Sequence, residues 1–434
     1  MYRRVRKYNW PALIAIFFLF LFILKNSEYD KSNDIMRNID LNLVDIKLRD
    51  SQQKKDIEGN NLTHFMSNVF ESRRKRIRDG CILDSHGQVQ KILIYRPSNI
   101  SYCVIPKAGC TYWKQIFRFL NGDVGSKNIS SPFEINRMLA HYGSYKQMGN
   151  ISFKSVSDRY DLSSTRRILV ARNPYSRLWA VYLDKFLLPD FWRSHGKAIA
   201  KQKMRALNSS LSISSDESEP LCANNISFED FIRYVVNIES RGSGSNEHWI
   251  PISKQCNPCL YRPDFIITME TFARDSKFIL QHVGLDHLLK YHPKSRVLDE
   301  LKMLINYNFQ LLGGKISKCI NALELCKRLW KVFQINGYIS AETPFPEIFE
   351  LKPSSLNKQH FMSSIVKAVD KNQNSAADQK QQKLVAMETA YQMLPKSLLR
   401  MIPYIYENDF RLFGYDPYPY NLFKDYKLYH YLKN

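Results

Sequence analysis

Residues 102–114 have the sequence YCVIPKAGCTYWK, which predicts a buried strand, a tight loop and the start of a helix. Val104 and Ile105 supply the strand. The helix repeats apolar residues at positions i, i+3, i+4 and i+7, which puts on one face Trp113, Ile116, Phe117 and Leu120. A helix start presents unpaired backbone N–H groups and the positive end of the helix dipole. Because Lys107 adds a full positive charge, we expect this loop to bind an anion such as phosphate or sulfate.

A second strand and helix follow in residues 166–178, which have the sequence RRILVARNPYSRL. The apolar run 168–171 predicts a core strand. Asn173 can cap the helix, and Pro174 suits its first turn. Arg172 stands at the carboxyl end of the strand, where ligands bind in open α/β sheets. Two anion sites on neighbouring strand–helix turns predict a ligand with two phosphate-like groups.

The alternation of strands and helices predicts an α/β protein with a mainly parallel sheet and flanking helices. Further along, Ser227 begins a capping box, residues 265–268 read as a buried strand, and a helix over 276–283 ends at Gly284. The stretch at about 193–220 is rich in Ser, Lys and Arg and is typical of an exposed insertion.

Four blocks of this sequence resemble Golgi carbohydrate sulfotransferases. PKAGCTYWK (106–114) and ARNPYSRL (171–178) resemble the two nucleotide signatures of that family. The subgroup most similar is the HNK-1 type, which includes the chondroitin, dermatan and GalNAc 4-O-sulfotransferases. Its middle and C-terminal blocks are similar to NEHW (246–249), CNPC (256–259), METF (269–272), IY (405–406), DF (409–410) and FGY (413–415). The resemblance covers roughly residues 80–290 and 385–416. Because residues at about 291–382 match the family poorly, the resemblance implies a larger insertion there, which could form a small subdomain.

The resemblance implies a sulfotransferase fold with a P-loop-like 5′-phosphosulfate loop. It also implies the donor 3′-phosphoadenosine 5′-phosphosulfate as co-substrate and transfer of its sulfuryl group to a sugar hydroxyl, with the GalNAc 4-hydroxyl of chondroitin or dermatan as the first choice. The 5′ end would contact Pro106, Lys107, Ala108, Gly109, Cys110, Thr111 and Tyr112. The 3′-phosphate end would contact Arg172, Asn173, Pro174, Tyr175, Ser176, Arg177, Leu178, Trp179 and Ala180.

One position departs from the family pattern. The second signature usually carries a serine that also holds the 3′-phosphate, and aligned through Arg172 that position is Ala180. Ser176 lies in the same helix but one turn earlier. An altered donor affinity is one consequence, and a catalytically degenerate glycan-binding Golgi protein is the alternative function. A P-loop kinase or NTPase is disfavoured because G-x-x-x-x-G-K-[ST] is absent.

Sulfuryl transfer needs a cation for the departing oxygen and a base for the sugar hydroxyl. Lys107, in the first loop, is the candidate for the cation that stabilises the departing oxygen. His141 lies between the two signatures, where related enzymes carry a base, and His248 in the middle block is its competitor. Glu247 is a third candidate. Either histidine could instead be structural, and Trp249 could stack on a sugar or lie in the core.

The chain of 434 residues carries a net charge of +22 and is 44% hydrophobic. It can bury a substantial core, as one large catalytic domain or as two domains. The positive charge suits an anionic donor and a polyanionic glycan, although a solvated basic surface would give the same excess. No nucleic-acid module is recognisable. We therefore expect a glycan or proteoglycan partner and no nucleic acid; the sequence indicates no oligomeric state.

The N-terminal residues have the pattern of a signal anchor. An apolar run follows a basic flank, and it is near the short limit for spanning a bilayer. Together with the resemblance, this predicts a cytoplasmic tail (1–7), a single-pass type II Golgi membrane anchor (8–24), a stem (25–79) and a lumenal sulfotransferase domain (80–434). A cleaved signal peptide is the alternative, but no small-x-small cleavage site follows the run.

Sequons and cysteines agree with a lumenal domain. The N-x-[ST] sequons open at Asn61, Asn99, Asn128, Asn150, Asn208 and Asn225. The cysteines are Cys81, Cys103, Cys110, Cys222, Cys256, Cys259, Cys319 and Cys326, most of which would pair in an oxidising compartment. The C-x-x-C at Cys256 could also bind zinc, but a structural zinc site needs four ligands and no second pair appears. We expect disulfides with other cysteines, and no metal.

Overall fold

The computed structural model describes residues 62–81, 89, 91–124, 128–143, 148–149, 161–208, 222–242, 244–291, 296–314 and 316–423. The predicted cytoplasmic tail and membrane anchor, and most of the predicted stem, lie outside these residues. The chain divides into two compact units, Met1–Val69 and Phe70–Asn434, and the first helix crosses the division. Within the described ranges, no helix combines the length and the apolar character that crossing a membrane requires.

The described chain contains one sheet and many helices. The strands are β1 (Ile92–Tyr95), β2 (Ile100–Cys103), β3 (Met148–Gly149), β4 (Arg166–Ala171) and β5 (Phe265–Thr268). The helices are α1 (Leu62–Gly80), α2 (Cys110–Leu120), α3 (Arg137–Tyr142), α4 (Pro174–Tyr182), α5 (His195–Asn208), α6 (Phe228–Arg241), α7 (Ile252–Gln255), α8 (Pro258–Tyr261), α9 (Phe272–His282), α10 (Arg296–Leu312), α11 (Ala322–Ile335), α12 (Ile348–Leu351), α13 (Lys358–Asp370), α14 (Ala376–Gln392), α15 (Lys396–Ile405), α16 (Glu407–Phe413) and α17 (Tyr420–Phe423). A π-helical turn, Leu183–Leu187, continues α4.

The sheet is mixed, with strand order β3-β1-β2-β4-β5. The prediction of a mainly parallel sheet is therefore corrected: β1 pairs antiparallel with both β2 and β3, and only β2, β4 and β5 run parallel. The reason is the short link between β1 and β2, the single turn Arg96–Ser98. A link this short permits only an antiparallel pair, whereas parallel strands need long crossovers.

The predicted strands and helix starts agree with the structure to within a few residues. β4 and β5 contain the two apolar runs, and Ser227 forms a complete capping box with Asp230 at the start of α6. Val104 and Ile105 are buried but follow β2, which ends at Cys103. Their apolar character reflects burial rather than strand pairing.

The second half of α1 belongs to the larger unit. Phe70 packs edge-on against Phe265 of β5, with ring centroids 5.2 Å apart. Arg73 donates to the Asp275 carboxylate at 2.6 Å and to the Ile266 carbonyl at 2.7 Å. The part of the predicted stem from Phe70 onward thus packs on the sheet.

Both predicted insertions contribute to the core. Within the first, α5 buries Ile199 and Ala200, so this part is not simply exposed. The second provides most of α10 to α14, whose buried residues join the same apolar cluster as α4 and α6. These residues include Leu301, Leu329 and Phe361. The region 291–382 is therefore integrated in the main core and is not a separate subdomain.

Three disulfides join distant parts of the chain: Cys81–Cys259, Cys103–Cys256 and Cys222–Cys319. The prediction that the C-x-x-C cysteines pair with other cysteines is confirmed, and the zinc alternative is wrong because both sulfurs are bonded. Cys110 and Cys326 are free and buried. Among the described residues, no cluster of three or more His, Cys, Asp or Glu could hold a metal ion.

Arg177 of α4 is a buried connector, with 1% of its surface exposed. Its guanidinium donates to three backbone carbonyls: Pro106 at 3.2 Å, Glu247 at 2.8 Å and Ile250 at 2.5 Å. The planar fork of an arginine suits several acceptors at once. One side chain thus holds the Pro106 loop and the 247–250 segment against α4.

We predict that Arg177→Met lowers the free energy of unfolding by about 3 kcal/mol, because it leaves buried carbonyls without donors. Arg177→Lys should also destabilise, but less, since one ammonium cannot serve three separated carbonyls. Urea denaturation of the three proteins measures this. A loss below about 1 kcal/mol in the methionine variant would contradict the connecting role.

Candidate active site

The loop between β2 and α2 has a constrained backbone. Lys107 has a φ of 64° and Gly109 a φ of 67°, both in the left-handed region. A Cβ at Gly109 would lie 2.3 Å from the ring of Phe272, so a side chain there is excluded by space as well as by φ. Gly109 is the N-cap of α2, and no side chain caps this helix. The first N–H groups of α2 are therefore available to an anion.

The second signature begins where β4 ends at Ala171. As predicted, Asn173 caps α4: its Oδ1 accepts from the N–H of Tyr175 at 3.0 Å and of Ser176 at 3.4 Å. Arg172 donates through Nη1 to the carbonyl of Lys107 at 2.5 Å and through Nε to Ser176 Oγ at 3.0 Å. The two predicted anion loops are thus in direct contact.

Arg172 is charged at neutral pH despite its burial. Desolvation first, and then the neighbouring Arg177, lower its pKa to about 10. An arginine has five N–H donors, and the two bonds to Lys107 and Ser176 leave others for a ligand. This residue can therefore hold the loops together and still contact an anion.

Asp184 lies at the centre of a cluster of cations that sequence reasoning missed. Its carboxylate is 2.6 Å from Lys107 Nζ, 3.3 Å from Arg137 and 3.4 Å from Lys185. Burial alone would raise its pKa, but Lys107, Lys185 and Arg137 hold it well below the usual value. Asp184 is therefore ionised. The signal in the sequence was an Asp-Lys pair inside the otherwise apolar run 178–188, which the π-helical turn directs toward the loop.

His141, at the end of α3, contacts α2, the helix that follows the first loop. Its Nε2 lies 2.9 Å from Thr111 Oγ1, and its Nδ1 lies 3.5 Å from Lys114 Nζ. Burial first, then Lys114 and Arg137, lower its pKa to about 2. The imidazole is thus neutral at physiological pH, and both ring nitrogens face protein partners.

His248 is held at one nitrogen. Asn246 Oδ1 accepts from the backbone N–H of His248 at 3.0 Å and lies 2.7 Å from its Nδ1, which therefore carries the ring proton. Within the described part of the chain, Nε2 has no hydrogen-bond partner. Burial, then Lys185 and Lys107, lower the pKa of His248 well below its usual value. His141 contacts Thr111 after the first loop, and Arg177 ties the 247–250 segment, which contains His248, to Pro106 of that loop.

Several residues of the predicted donor site point elsewhere. The side chains of Tyr175, Leu178 and Trp179 on α4 are buried in the apolar core of the protein. Arg177 binds backbone carbonyls. Arg177 does reach the first loop, but each of its three nitrogens donates to a backbone carbonyl. Trp249 is also a core residue, completely buried, and Glu247 pairs with Lys91. Ala180 is half-buried, one turn beyond Ser176.

A sequence model of the sulfotransferase family matches residues 90–309, half of the chain. This chain belongs to the sulfotransferase family. Relatives include human carbohydrate sulfotransferase 9, 27% identical over 67% of this chain and 57% of its own length. Carbohydrate sulfotransferase 11 of Mus musculus is 27% identical over 54% of this chain and 68% of its own length. Carbohydrate sulfotransferase 8 of Mus musculus is 30% identical over 44% of this chain and 43% of its own length. No solved structure matches.

The family implies 3′-phosphoadenosine 5′-phosphosulfate as the co-substrate. The chain covers just over half the length of the first of these relatives. The matched region contains both signature loops, both histidines and Asp184, and it ends before α11 begins.

The lowered pKa of His141 predicts a pH-dependent stability. The unfolded chain binds a proton at this residue below about pH 6.5, whereas the folded chain stays neutral until about pH 2, so stability falls as the pH drops through that interval. Between about pH 7 and about pH 5.5 the loss from this one group is up to about 1 kcal/mol. In His141→Gln, the free energy of unfolding measured by urea denaturation should fall by about 1 kcal/mol less over the same pH interval. If the free energy of unfolding depends on pH equally in wild type and in His141→Gln, the lowered pKa of His141 is contradicted.

Proposed function

We propose that this protein is a carbohydrate sulfotransferase of the HNK-1 type, which transfers a sulfuryl group from 3′-phosphoadenosine 5′-phosphosulfate to a sugar hydroxyl. The observation that carries the proposal is the direct hydrogen bond from Arg172 to the carbonyl of Lys107. It brings the two cationic loops into direct contact, so that one nucleotide with two anionic groups can reach both. The names of the relatives support a carbohydrate as the acceptor.

In this proposal, Lys107 and the first N–H groups of α2 hold the 5′-phosphosulfate. Sulfuryl transfer moves the group in line between two oxygens, and negative charge builds on the departing bridge oxygen. The Lys107 ammonium stabilises that charge. Asp184 keeps the ammonium oriented through its 2.6 Å contact, and burial makes the charge more effective than it would be in water.

Arg172 holds the 3′-phosphate in this proposal. Ser176 already accepts from Arg172 Nε, so it orients the guanidinium and does not replace the hydroxyl missing at Ala180. The donor site thus retains its cation but lacks one neutral hydrogen bond. Such a bond contributes about 1 kcal/mol, which is a moderate loss of donor affinity and no barrier to catalysis.

His248 is the base that the geometry favours over His141. Its Nδ1 proton is fixed by Asn246, which leaves Nε2 with the lone pair that a base needs. His141 instead uses its ring nitrogens on Thr111 and Lys114, and it orients the phosphate loop. Burial first, then Lys185 and Lys107, lower the pKa of His248, and the negative charge of a bound donor would oppose the effect of the two lysines.

The acceptor we propose is a GalNAc-containing chain such as chondroitin or dermatan, sulfated at the 4-hydroxyl. The net charge of +22 favours polyanionic glycans of this kind. We further propose a lumenal catalytic domain on a type II Golgi anchor at residues 8–24. Three disulfides agree with an oxidising compartment.

The function is tested with radiolabelled donor and a panel of desulfated glycosaminoglycans and GalNAc-terminated oligosaccharides. Wild type should transfer label to at least one acceptor, and Lys107→Ala should lower kcat by at least about a hundredfold while the protein stays folded. Near-normal turnover in this variant would remove Lys107 from the mechanism. Glycan binding with neither transfer nor nucleotide binding in wild type would instead support the degenerate, glycan-binding alternative.

A second variant pair tests the base. His248→Ala should lower kcat by about a hundredfold or more, with little change in the affinity for 3′-phosphoadenosine 5′-phosphate. His141→Ala should mainly raise the donor KM, because it frees Thr111. If His141→Ala loses kcat and His248→Ala keeps it, the two roles are reversed.

A further inference from the structure

One face of the short helix α3 forms part of the candidate active site. Arg137 and His141 are four residues apart, so they lie on the same side of this helix. The Arg137 guanidinium lies 3.3 Å from the Asp184 carboxylate, which also binds Lys107. His141 Nε2 lies 2.9 Å from Thr111 Oγ1. These contacts fix α3 against the first loop and the helix that follows it.

The next residues along the chain, Met138 and Tyr142, form an exposed apolar strip on α3. They are again four residues apart and share a face of the helix. The exposed fraction is 39% for Met138 and 66% for Tyr142, although both side chains are large and apolar. A single exposed apolar side chain needs no explanation, but an adjoining pair at the edge of a candidate site is a surface that a ligand can cover.

The helix α10 holds this strip in place. The backbone N–H of Arg137 donates to Met303 Sδ at 3.3 Å, and the hydroxyl oxygens of Tyr142 and Tyr307 are 3.4 Å apart. Tyr307 donates its only hydroxyl proton to Asp190 at 2.5 Å, so Tyr142 is the donor within the tyrosine pair. Burial first, and then Asp190, raise the pKa of Tyr307, so this phenol stays protonated. The Tyr142 oxygen keeps lone pairs that can accept from a ligand hydroxyl.

Asp190 connects the tyrosine pair to Lys107. Its carboxylate also pairs with Lys185, and the Lys185 ammonium lies 3.4 Å from the Asp184 carboxylate. Asp184 in turn lies 2.6 Å from Lys107 Nζ. A continuous series of side-chain contacts thus runs from Tyr142 to the lysine that, in the proposed function, stabilises the departing oxygen.

The segment that carries Asp190 also contacts the proposed base. The Phe191 ring packs edge-on against the His248 ring, with the two centroids 5.1 Å apart. In the proposed function, the accepting hydroxyl must come within hydrogen-bond reach of His248 Nε2. Two consecutive residues thus contact Tyr307 and His248, so the exposed strip is close to the place where the acceptor hydroxyl must bind.

We propose that Met138 and Tyr142 form a subsite for the acceptor glycan, with Tyr307 holding the Tyr142 hydroxyl in position. A sugar ring has an apolar C–H face with hydroxyls at its edge. The Tyr142 ring and Met138 would cover that face, and Tyr142 Oη would accept from a hydroxyl at the edge, since a tyrosine combines an apolar body with a polar tip. The inference rests on the proposed function and deepens it, because it assigns residues to the sugar and not to the nucleotide.

The test is isothermal titration of desulfated chondroitin into wild type, Tyr142→Ala, Tyr142→Phe and Tyr404→Ala. Tyr404, on α15, is 72% exposed and controls for the loss of an exposed tyrosine. Tyr142→Ala should weaken glycan binding about tenfold, and Tyr142→Phe, which keeps the ring, only about threefold. Tyr404→Ala should change nothing. In the transfer assay, Tyr142→Ala should raise the acceptor KM by the same factor as it weakens binding. The affinity for 3′-phosphoadenosine 5′-phosphate and the urea midpoint should stay as in wild type.

Several results would overturn the subsite. These are a wild type that does not bind desulfated chondroitin, an unchanged glycan affinity in Tyr142→Ala, and an equal loss in Tyr404→Ala. A loss of nucleotide affinity in Tyr142→Ala would assign the residue to the donor instead. The proposed function fails separately: a wild type that binds the glycan through Tyr142 but transfers no label to any acceptor would keep the subsite and remove the sulfotransferase activity.

Discussion

Two consecutive carbonyls of the first signature are each held by an arginine of the second. Arg177 donates to Pro106, and Arg172 donates to Lys107. Because Lys107 has a left-handed φ, which costs about 1–3 kcal/mol for a residue with a side chain, this loop needs external support to keep its shape. The two arginines provide that support. The loop conformation and the relative position of both anion sites therefore depend on the same pair of residues.

The charges around the loop follow from this arrangement. Lys107 directs its ammonium into a partly buried site that also contains Arg137 and Lys185. Without a counter-ion, such a cluster would lose its protons or disrupt the fold. Asp184 supplies the counter-ion, and the π-helical turn after α4 gives it the direction that it needs. Burial first, and then cations of this site, lower the pKa of His141 and of His248, so both imidazoles are neutral. One acidic residue thus allows a cationic site and neutral imidazoles to coexist.

The sequence predicted the features that local hydrogen bonds and apolar spacing determine. The cap at Asn173, the capping box at Ser227 and the strand at 168–171 are of this kind. Features set by distant contacts were not predictable. The antiparallel β1 depends on a short link, and the partner of Cys256 lies 153 residues away at Cys103. In the same way, the motif 171–178 gave no sign that Arg177 turns into the core while Arg172 faces the loop.

The residues beyond 309, where the family match ends, show why the end of a sequence match does not mark a domain boundary. The helix α4 presents Leu178 and Trp179 on the side away from the loop, and these side chains need an apolar cover. Residues of α10 to α14 provide much of it. Many different sequences can supply an apolar surface of suitable shape, so such a cover can diverge while the loop beneath it keeps its residues.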